Sequence, residues 1–241
     1  MRGVLMKAMI LAAGRGERMR PLTDTCPKPM LEAGGVPLIV RHIQKLRDEA
    51  GICDIVINTA WLPEVLHNGL GDGSRFGVSI SWSDEIPGGL ETAGGIKKAL
   101  PLLGKDPFLV VNGDCLMTCR YDTLARPLPA GISARVFLAP NPPHHPEGDF
   151  SIVADGLLSG EKSLTFTGAA VYTPGLFSDV PEGKIRLAPY LRKWAREGLV
   201  LAEEIGGLWL DVGTPERLRQ ADRVLTGGIG GNSQSAEANA V

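Results

Sequence analysis

The feature that most restricts the fold of this chain is an alternation of short apolar runs with segments of helical period. Lys7–Leu11, Asp54–Thr59, Val78–Trp82 and Phe108–Asn112 have strand length, and Phe108–Asn112 in particular carries almost nothing for a wet face. Between them, Pro37–Ala50 places Leu38, Ile39, Ile43 and Leu46 on one helical face, and Pro63–Leu70 and Gly94–Leu103 read as shorter helices. This order predicts an α/β fold: a Rossmann-like, mostly parallel mixed sheet flanked by helices on both faces. The second half is less regular. It offers strands at Ala134–Leu138, Phe150–Val153, Leu164–Tyr172 and Leu199–Glu203, and helices at Leu187–Arg196 and Pro215–Leu225. These are expected to add a smaller lobe to the same sheet, giving one domain over residues 1–226. Residues 227–241 are glycine, serine, alanine and asparagine with little to bury, and a disordered tail is expected there.

Bulk properties remove several function classes. A net charge of −2 argues against a general nucleic-acid binder, which needs a basic surface, but leaves room for a small anionic ligand. No apolar run approaches the ~20 residues of a membrane span. Met1–Leu5 is too short for a signal peptide, and Met6 is an equally natural start. Cys26, Cys53, Cys115 and Cys119 form no C-x-x-C pair, and a chain of 241 residues needs no disulfide staples, so a reducing cytoplasm is the expected location. Small-molecule partners are expected, without nucleic acid or membrane. Nothing sets the oligomeric state, and a monomer is the working expectation.

The candidate chemistry begins immediately after the first apolar run. In Leu11-Ala12-Ala13-Gly14-Arg15-Gly16-Glu17-Arg18-Met19-Arg20-Pro21-Leu22-Thr23, small residues let backbone N–H groups approach a polyanion, and three arginines lie within six positions. No Gly-Lys-Ser/Thr follows, so this is not a Walker A loop. Met19 stands where a dinucleotide fingerprint needs its third glycine. Farther on, Pro27 and Pro29 flank Lys28 and limit where its ammonium can point.

Two carboxylates stand at strand ends. Phe108–Asn112 runs into Gly113-Asp114, and Leu208-Trp209-Leu210-Asp211 runs into a helix start with Thr214 as N-cap and Pro215 as first residue. Two carboxylates and phosphate oxygens make a hard oxygen site that suits Mg²⁺. Cys115 and Cys119 lack the two further ligands that zinc would need.

The loop and the Pro-Lys-Pro turn together resemble the signature of the sugar nucleotidyltransferase family, L-A-A-G-x-G-x-R-x-x-P-L-T followed by P-K-P. The resemblance runs from Met6 to about Leu225. It implies the nucleotide-diphospho-sugar transferase type of fold and transfer of a nucleotidyl group to a sugar 1-phosphate. It further implies that Ala12, Ala13, Gly14 and Gly16 hold the nucleotide by backbone, that Arg18 and Lys28 are the catalytic cations, and that Asp114 and Asp211 hold Mg²⁺. Glu85, Leu90, Thr92 and Asn112 complete the expected nucleotide pocket. Many relatives have L-G-T-A-G where this chain has Leu90-Glu91-Thr92-Ala93-Gly94, so a glutamate replaces the first glycine.

Asn141-Pro142-Pro143-His144-His145-Pro146-Glu147-Gly148-Asp149-Phe150 and the Glu91-Thr92-Ala93-Gly94-Gly95-Ile96 segment are similar to the branch that couples N-acetylmuramate α-1-phosphate to UTP in cell-wall sugar recycling. Asp149, Phe166 and Gly168 are the expected sugar contacts. Phe166 stands where many relatives have a hydrogen-bonding residue, which suits an apolar wall for a bulkier, lactyl-bearing sugar. His144, His145, Lys184 and Arg186 are the available donors for the sugar phosphate or a lactyl carboxylate. The alternatives are the same reaction on mannose or glucose 1-phosphate with another base, a cytidylyltransferase on an aminoalcohol phosphate, or a non-catalytic subunit that senses nucleotide sugars.

Overall fold

The computed structural model describes residues 6–86 and 88–227. The proposed tail from residue 228 onward, and the choice between Met1 and Met6 as a start, lie outside the described residues. In chain order the elements are β1 (Lys7–Leu11), β2 (Glu32–Ala33), β3 (Val36–Pro37), α1 (Leu38–Ala50), β4 (Asp54–Thr59), α2 (Pro63–Leu70), β5 (Ser79–Asp84), α3 (Glu91–Leu103) and β6 (Phe108–Asn112). They continue with β7 (Cys115–Met117), α4 (Tyr121–Leu124), β8 (Ala134–Ala139), β9 (Phe150–Ile152), β10 (Leu158–Tyr172), α5 (Ala188–Arg196), β11 (Val200–Glu204), β12 (Trp209–Asp211) and α6 (Pro215–Thr226).

The main sheet has the order β11-β8-β10-β6-β1-β4-β5, with β9 paired to β10. Its β6-β1-β4-β5 half is parallel throughout. Strand β10 runs antiparallel to both β6 and β8, which makes the sheet mixed. Side chains of successive strand residues alternate between two cores. Ala8, Ile10, Leu109 and Val111 face α1 and α2, and Met9, Phe108 and Val110 face α3 and α5. Because both faces are covered, the central strands carry no polar face, as their composition predicts.

Three features differ from the sequence reading. Strand β10 begins at Leu158 rather than Leu164, because its first part leaves the main sheet to pair with β9 through an irregular register. Helix α3 begins at Glu91 rather than Gly94. Strand β7, unread as a strand, pairs antiparallel with β12, the run that ends at Asp211, and sets Asp211 opposite Cys115. A small third core of Ala33, Leu38, Leu116, Leu210, Val212 and Ala221 buttresses that pair and docks α6. It brings two segments about a hundred residues apart to the same point.

Candidate active site

The carboxyl ends of β1, β4 and β6 open onto one branched cleft, where ligands of open α/β sheets sit. Four adjoining cavities make it up. The first, about 340 Å³, is walled by Ala13, Gly14, Glu85, Leu90, Thr92 and Asn112 among others. The second, about 300 Å³, includes Asp149, Phe150, Phe166, Gly168 and Tyr172. The third contains Arg18, Asp114, His144, His145 and Asp211, and the fourth Gly14, Gly16, Arg18, Lys28 and Asp114. Asn112 borders the first three and Asp114 the first, third and fourth, so the end of β6 is their junction.

The glycine loop is held in place by hydrogen bonds from below. Ala12 N–H donates to Asn58 Oδ1 (2.8 Å), Asn58 Nδ2 donates to Glu85 Oε1 (2.7 Å), and Leu90 N–H donates to Glu85 Oε2 (2.6 Å). This relay changes the expected tasks of two residues. Ala12 is buried with its N–H spent on Asn58, so it lies beneath the wall of the first cavity rather than in it. Glu85 reaches the cavity while both its oxygens brace the loop. Gly95 leaves room for that carboxylate, since a Cβ there would stand 2.5 Å from Glu85 Oε1. Sequence reasoning missed Asn58. Its signal is a lone amide near the end of an otherwise apolar strand.

Gly16 has φ 68°, in the left-handed region that glycine enters freely. A Cβ there would press on Thr23 and on Lys28 Cβ at 3.0 and 3.1 Å, so the loop folds closely over the Pro-Lys-Pro turn. Lys28 is 7% exposed, and its ammonium lies 2.5 Å from Asp114 Oδ2 and 3.8 Å from Asp211 Oδ1. The Asp211 carboxylate also accepts from Arg217 Nη1 (2.5 Å), a cation the sequence reading did not single out. Arg217 lies in the first turn of α6, beyond the Thr214 cap whose Oγ1 accepts Arg217 N–H (3.3 Å). Gly213 makes this convergence possible. A Cβ there would meet Arg217 Nη2 at 2.5 Å, Arg18 Nη2 at 3.0 Å and Asp211 Oδ2 at 3.0 Å.

The carboxylate pair suits a magnesium ion. One ammonium touches both side chains, so a single cation can reach both, and all donors are hard oxygens. Among the described residues no cluster of three or more His, Cys, Asp or Glu side chains is gathered as a metal cage. Mg²⁺ is commonly held by one or two carboxylates plus substrate phosphate oxygens. Burial pushes the Cys115 thiol well up and the Cys119 thiol to about 11, away from thiolate.

The histidine loop is tied to both walls. His144 Nε2 lies 2.6 Å from Arg217 Nη1 and 3.5 Å from Asp211 Oδ2. Desolvation, and then the neighbouring Arg217, lower its pKa. His145 Nε2 meets Asp149 Oδ1 (3.1 Å), while Asp149 Oδ2 accepts Phe166 N–H (3.0 Å). Asp149 thus lines the second cavity with both oxygens engaged. Gly168, at φ 81°, admits Asn112, whose Nδ2 would lie 2.2 Å from a Cβ placed there. Of the remaining donors, Lys184 borders the first cavity and Arg186 the second.

Comparison with known proteins adds the relatives. The chain is 53% identical over 225 residues to the N-acetylmuramate alpha-1-phosphate uridylyltransferase of Neisseria meningitidis serogroup B, covering 90% of this chain and 96% of that protein. It is 34% identical over 233 residues to the protein of the same name from Caulobacter vibrioides, covering 90% and 96%. A crystal structure from Bacillus anthracis, put forward as a glucose-1-phosphate thymidylyltransferase and holding sucrose, superposes with a TM-score of 0.80 at 24% identity. It covers 91% of this chain and 95% of its own, a likeness of fold. Residues 7–156 match the nucleotidyl transferase family, and the chain is a member of that family of enzymes.

Proposed function

We propose that this enzyme joins N-acetylmuramate α-1-phosphate to UTP, releasing pyrophosphate and forming UDP-N-acetylmuramate, through a single nucleotidyltransferase domain at residues 1–226. The reading rests chiefly on the 53% identity across nearly the whole length of a uridylyltransferase bearing that name. The site chemistry supports it. A sugar phosphate monoester has a second pKa near ~6 and is largely dianionic at neutral pH, so no base is needed. One of its oxygens attacks the α-phosphorus of UTP, and the bond from that phosphorus to the bridging oxygen breaks as pyrophosphate leaves. The difficulty is bringing two polyanions together in line, which calls for cations and positioning.

The residues fit those tasks. Ala13, Gly14 and Gly16 present backbone to the triphosphate, with Ala12 supporting them through Asn58. Leu90, Thr92 and Asn112 flank the base and ribose, and Glu85 fixes the loop that carries Leu90. Arg18 and Lys28 stabilise charge on the departing pyrophosphate. Asp114 and Asp211 would hold Mg²⁺, which supplies charge neutralisation at the triphosphate oxygens when bound. Asp149, Phe166 and Gly168 line the sugar side. No helix among the described residues is long and apolar enough to cross a membrane. A cytoplasmic enzyme of cell-wall sugar recycling is the proposed setting.

Pyrophosphate release measured across a matrix of triphosphates and sugar 1-phosphates tests the reading. UTP with N-acetylmuramate α-1-phosphate should give the highest kcat/KM, tens-fold above N-acetylglucosamine or glucose 1-phosphate. Values equal within a few-fold would remove the muramate assignment. Turnover with no sugar phosphate in the matrix would remove nucleotidyl transfer.

A further inference from the structure

We infer that Arg186 is the residue that reads the lactyl carboxylate of the sugar, an assignment that rests on the muramate reading above. The second cavity has Phe150, Phe166, Tyr172 and Leu191 as apolar walls, which accommodate the body of a bulky sugar. Its charged lining consists of Glu91, Asp149 and Arg186. A ligand carboxylate entering this space meets two carboxylates, and among the lining residues only Arg186 can offset their repulsion.

Of the other donors suggested by the sequence, the two histidines are held by partners and the lysine borders another cavity. His144 is packed against Arg217 and Asp211, and His145 against Asp149. Lys184 borders the first cavity. Arg192, a cation the sequence reading did not single out, lies over the Phe150 ring, 5.0 Å from its centroid, and donates to the Asp149 carbonyl (3.4 Å). Arg186 is free by contrast. Its side chain is 81% exposed, and its recorded ionic neighbour, Glu91 Oε1, stands 3.9 Å away.

Its backbone is nevertheless firmly placed. Ile185 N–H donates to Leu90 O (2.8 Å), and Ala93 and Gly94 N–H both donate to Ile185 O (3.0 and 3.1 Å). A Cβ on Gly94 would stand 2.0 Å from Gly183 O, so the 183–187 strap lies directly on the start of α3. A guanidinium on a fixed anchor with a mobile stem suits bidentate capture of a planar carboxylate. Glu91 Oε1, 3.9 Å from Nε, makes no hydrogen bond to it and leaves the guanidinium open to a ligand.

The test uses the full chain with UTP and two sugars, N-acetylmuramate α-1-phosphate and N-acetylglucosamine α-1-phosphate. Arg186→Gln should lower the ratio of their kcat/KM values by tens-fold, mainly through KM for the muramate, with Arg186→Lys recovering part of it. The methyl ester of the lactyl group gives a second arm. Wild type should discriminate against the ester and Arg186→Gln should not. A sugar ratio unchanged in Arg186→Gln, or an ester still rejected by that variant, overturns the assignment. Equal losses on both sugars also overturn it, because Arg186 would then serve the common phosphate or the strap. A wild type indifferent to the lactyl group removes the muramate reading itself, and Arg186's role with it. Since the side chain is mostly in solvent, the variants should fold, and unchanged melting curves check this.

Discussion

The two walls of the cleft are built in different ways. The nucleotide wall comes from successive parallel strands, each delivering its loop to the same edge. The glycine loop, Asn58 and the Asn112–Asp114 turn therefore meet by repetition of one structural unit. The sugar wall comes from an antiparallel strand that bulges at Gly168, a histidine loop and the 183–187 strap. Its groups are brought together by contacts between segments tens of residues apart. On the proposed function, phosphate chemistry common to many substrates falls to a local motif, and sugar discrimination to tertiary arrangement. Substitutions in the first wall should then reduce turnover with every sugar, and those in the second should redistribute it among sugars.

The strongest test of that contrast is the carboxylate pair beside Lys28. Asp114→Asn and Asp211→Asn keep size and remove charge, and each should lower kcat about a thousandfold with all sugars alike. Near-normal magnesium-dependent turnover in either would exclude that residue from the metal site. Lys28→Met should cost about a hundredfold in kcat, since it deletes a cation aimed at the phosphates. It should also leave Asp114 and Asp211 facing each other without their shared ammonium. Mn²⁺ should then bind the nucleotide-free variant more tightly than wild type and raise its melting temperature more. Equal Mn²⁺ affinities, read by electron paramagnetic resonance, would show that the lysine and the metal do not share the position.

The parallel core and the phosphate loop were legible because each is encoded locally: apolar runs, helical spacing, and a glycine-arginine cluster with a fixed lysine. Asp114 was legible for the same reason, standing at the end of its own strand. Arg217 was not. Nothing in the spacing of an arginine on a polar helix says that α6 docks through Ala221 against Leu116 and Leu210 and turns that arginine onto Asp211. The early start of β10 was hidden because Ser159–Ser163 is polar and mostly exposed, with no apolar period to mark a strand. The four donors near the sugar had equal standing in the sequence. Their partners and their places in the fold separate them.

A smaller effect concerns the support under the shared junction. His42 on α1 is fully buried. Its Nε2 donates to the Cys115 carbonyl (2.9 Å) and its Nδ1 accepts from the Tyr121 hydroxyl (2.5 Å). Burial lowers its pKa from 6.5 to about 4. The unfolded chain therefore binds a proton more readily than the folded one between those values, so stability present above pH 6.5 is lost as pH falls toward 4. This one group accounts for on the order of 3 kcal/mol of acid sensitivity. His42→Gln can keep both hydrogen bonds without titrating. It should be somewhat less stable at neutral pH and show a flatter stability profile between pH 6.5 and 4 in urea titrations. A profile as steep as wild type would place the acid sensitivity elsewhere.

The smallest effect tests the point where the two walls touch. Glu91 borders both the first and second cavities and has φ 59°, where a residue with a Cβ is held at a cost of about 1–2 kcal/mol. Such positions persist where the surrounding structure uses the side chain. Glu91→Gly relieves that conformation, but it also loosens the unfolded chain by about 0.4–1 kcal/mol and removes an acidic charge from the first turn of α3, worth about 0.3–1 kcal/mol. These terms nearly cancel, so the melting temperature should move by less than about 4 °C. Function should respond more than stability. Because Glu91 borders both cavities and stands 3.9 Å from Arg186, KM should rise a few-fold for the nucleotide and for the sugar together. A rise confined to the sugar would assign Glu91 to the tertiary wall alone. A large fall in melting temperature with unchanged KM would make it a structural residue of the α3 terminus, and the two walls would then meet without a shared side chain there.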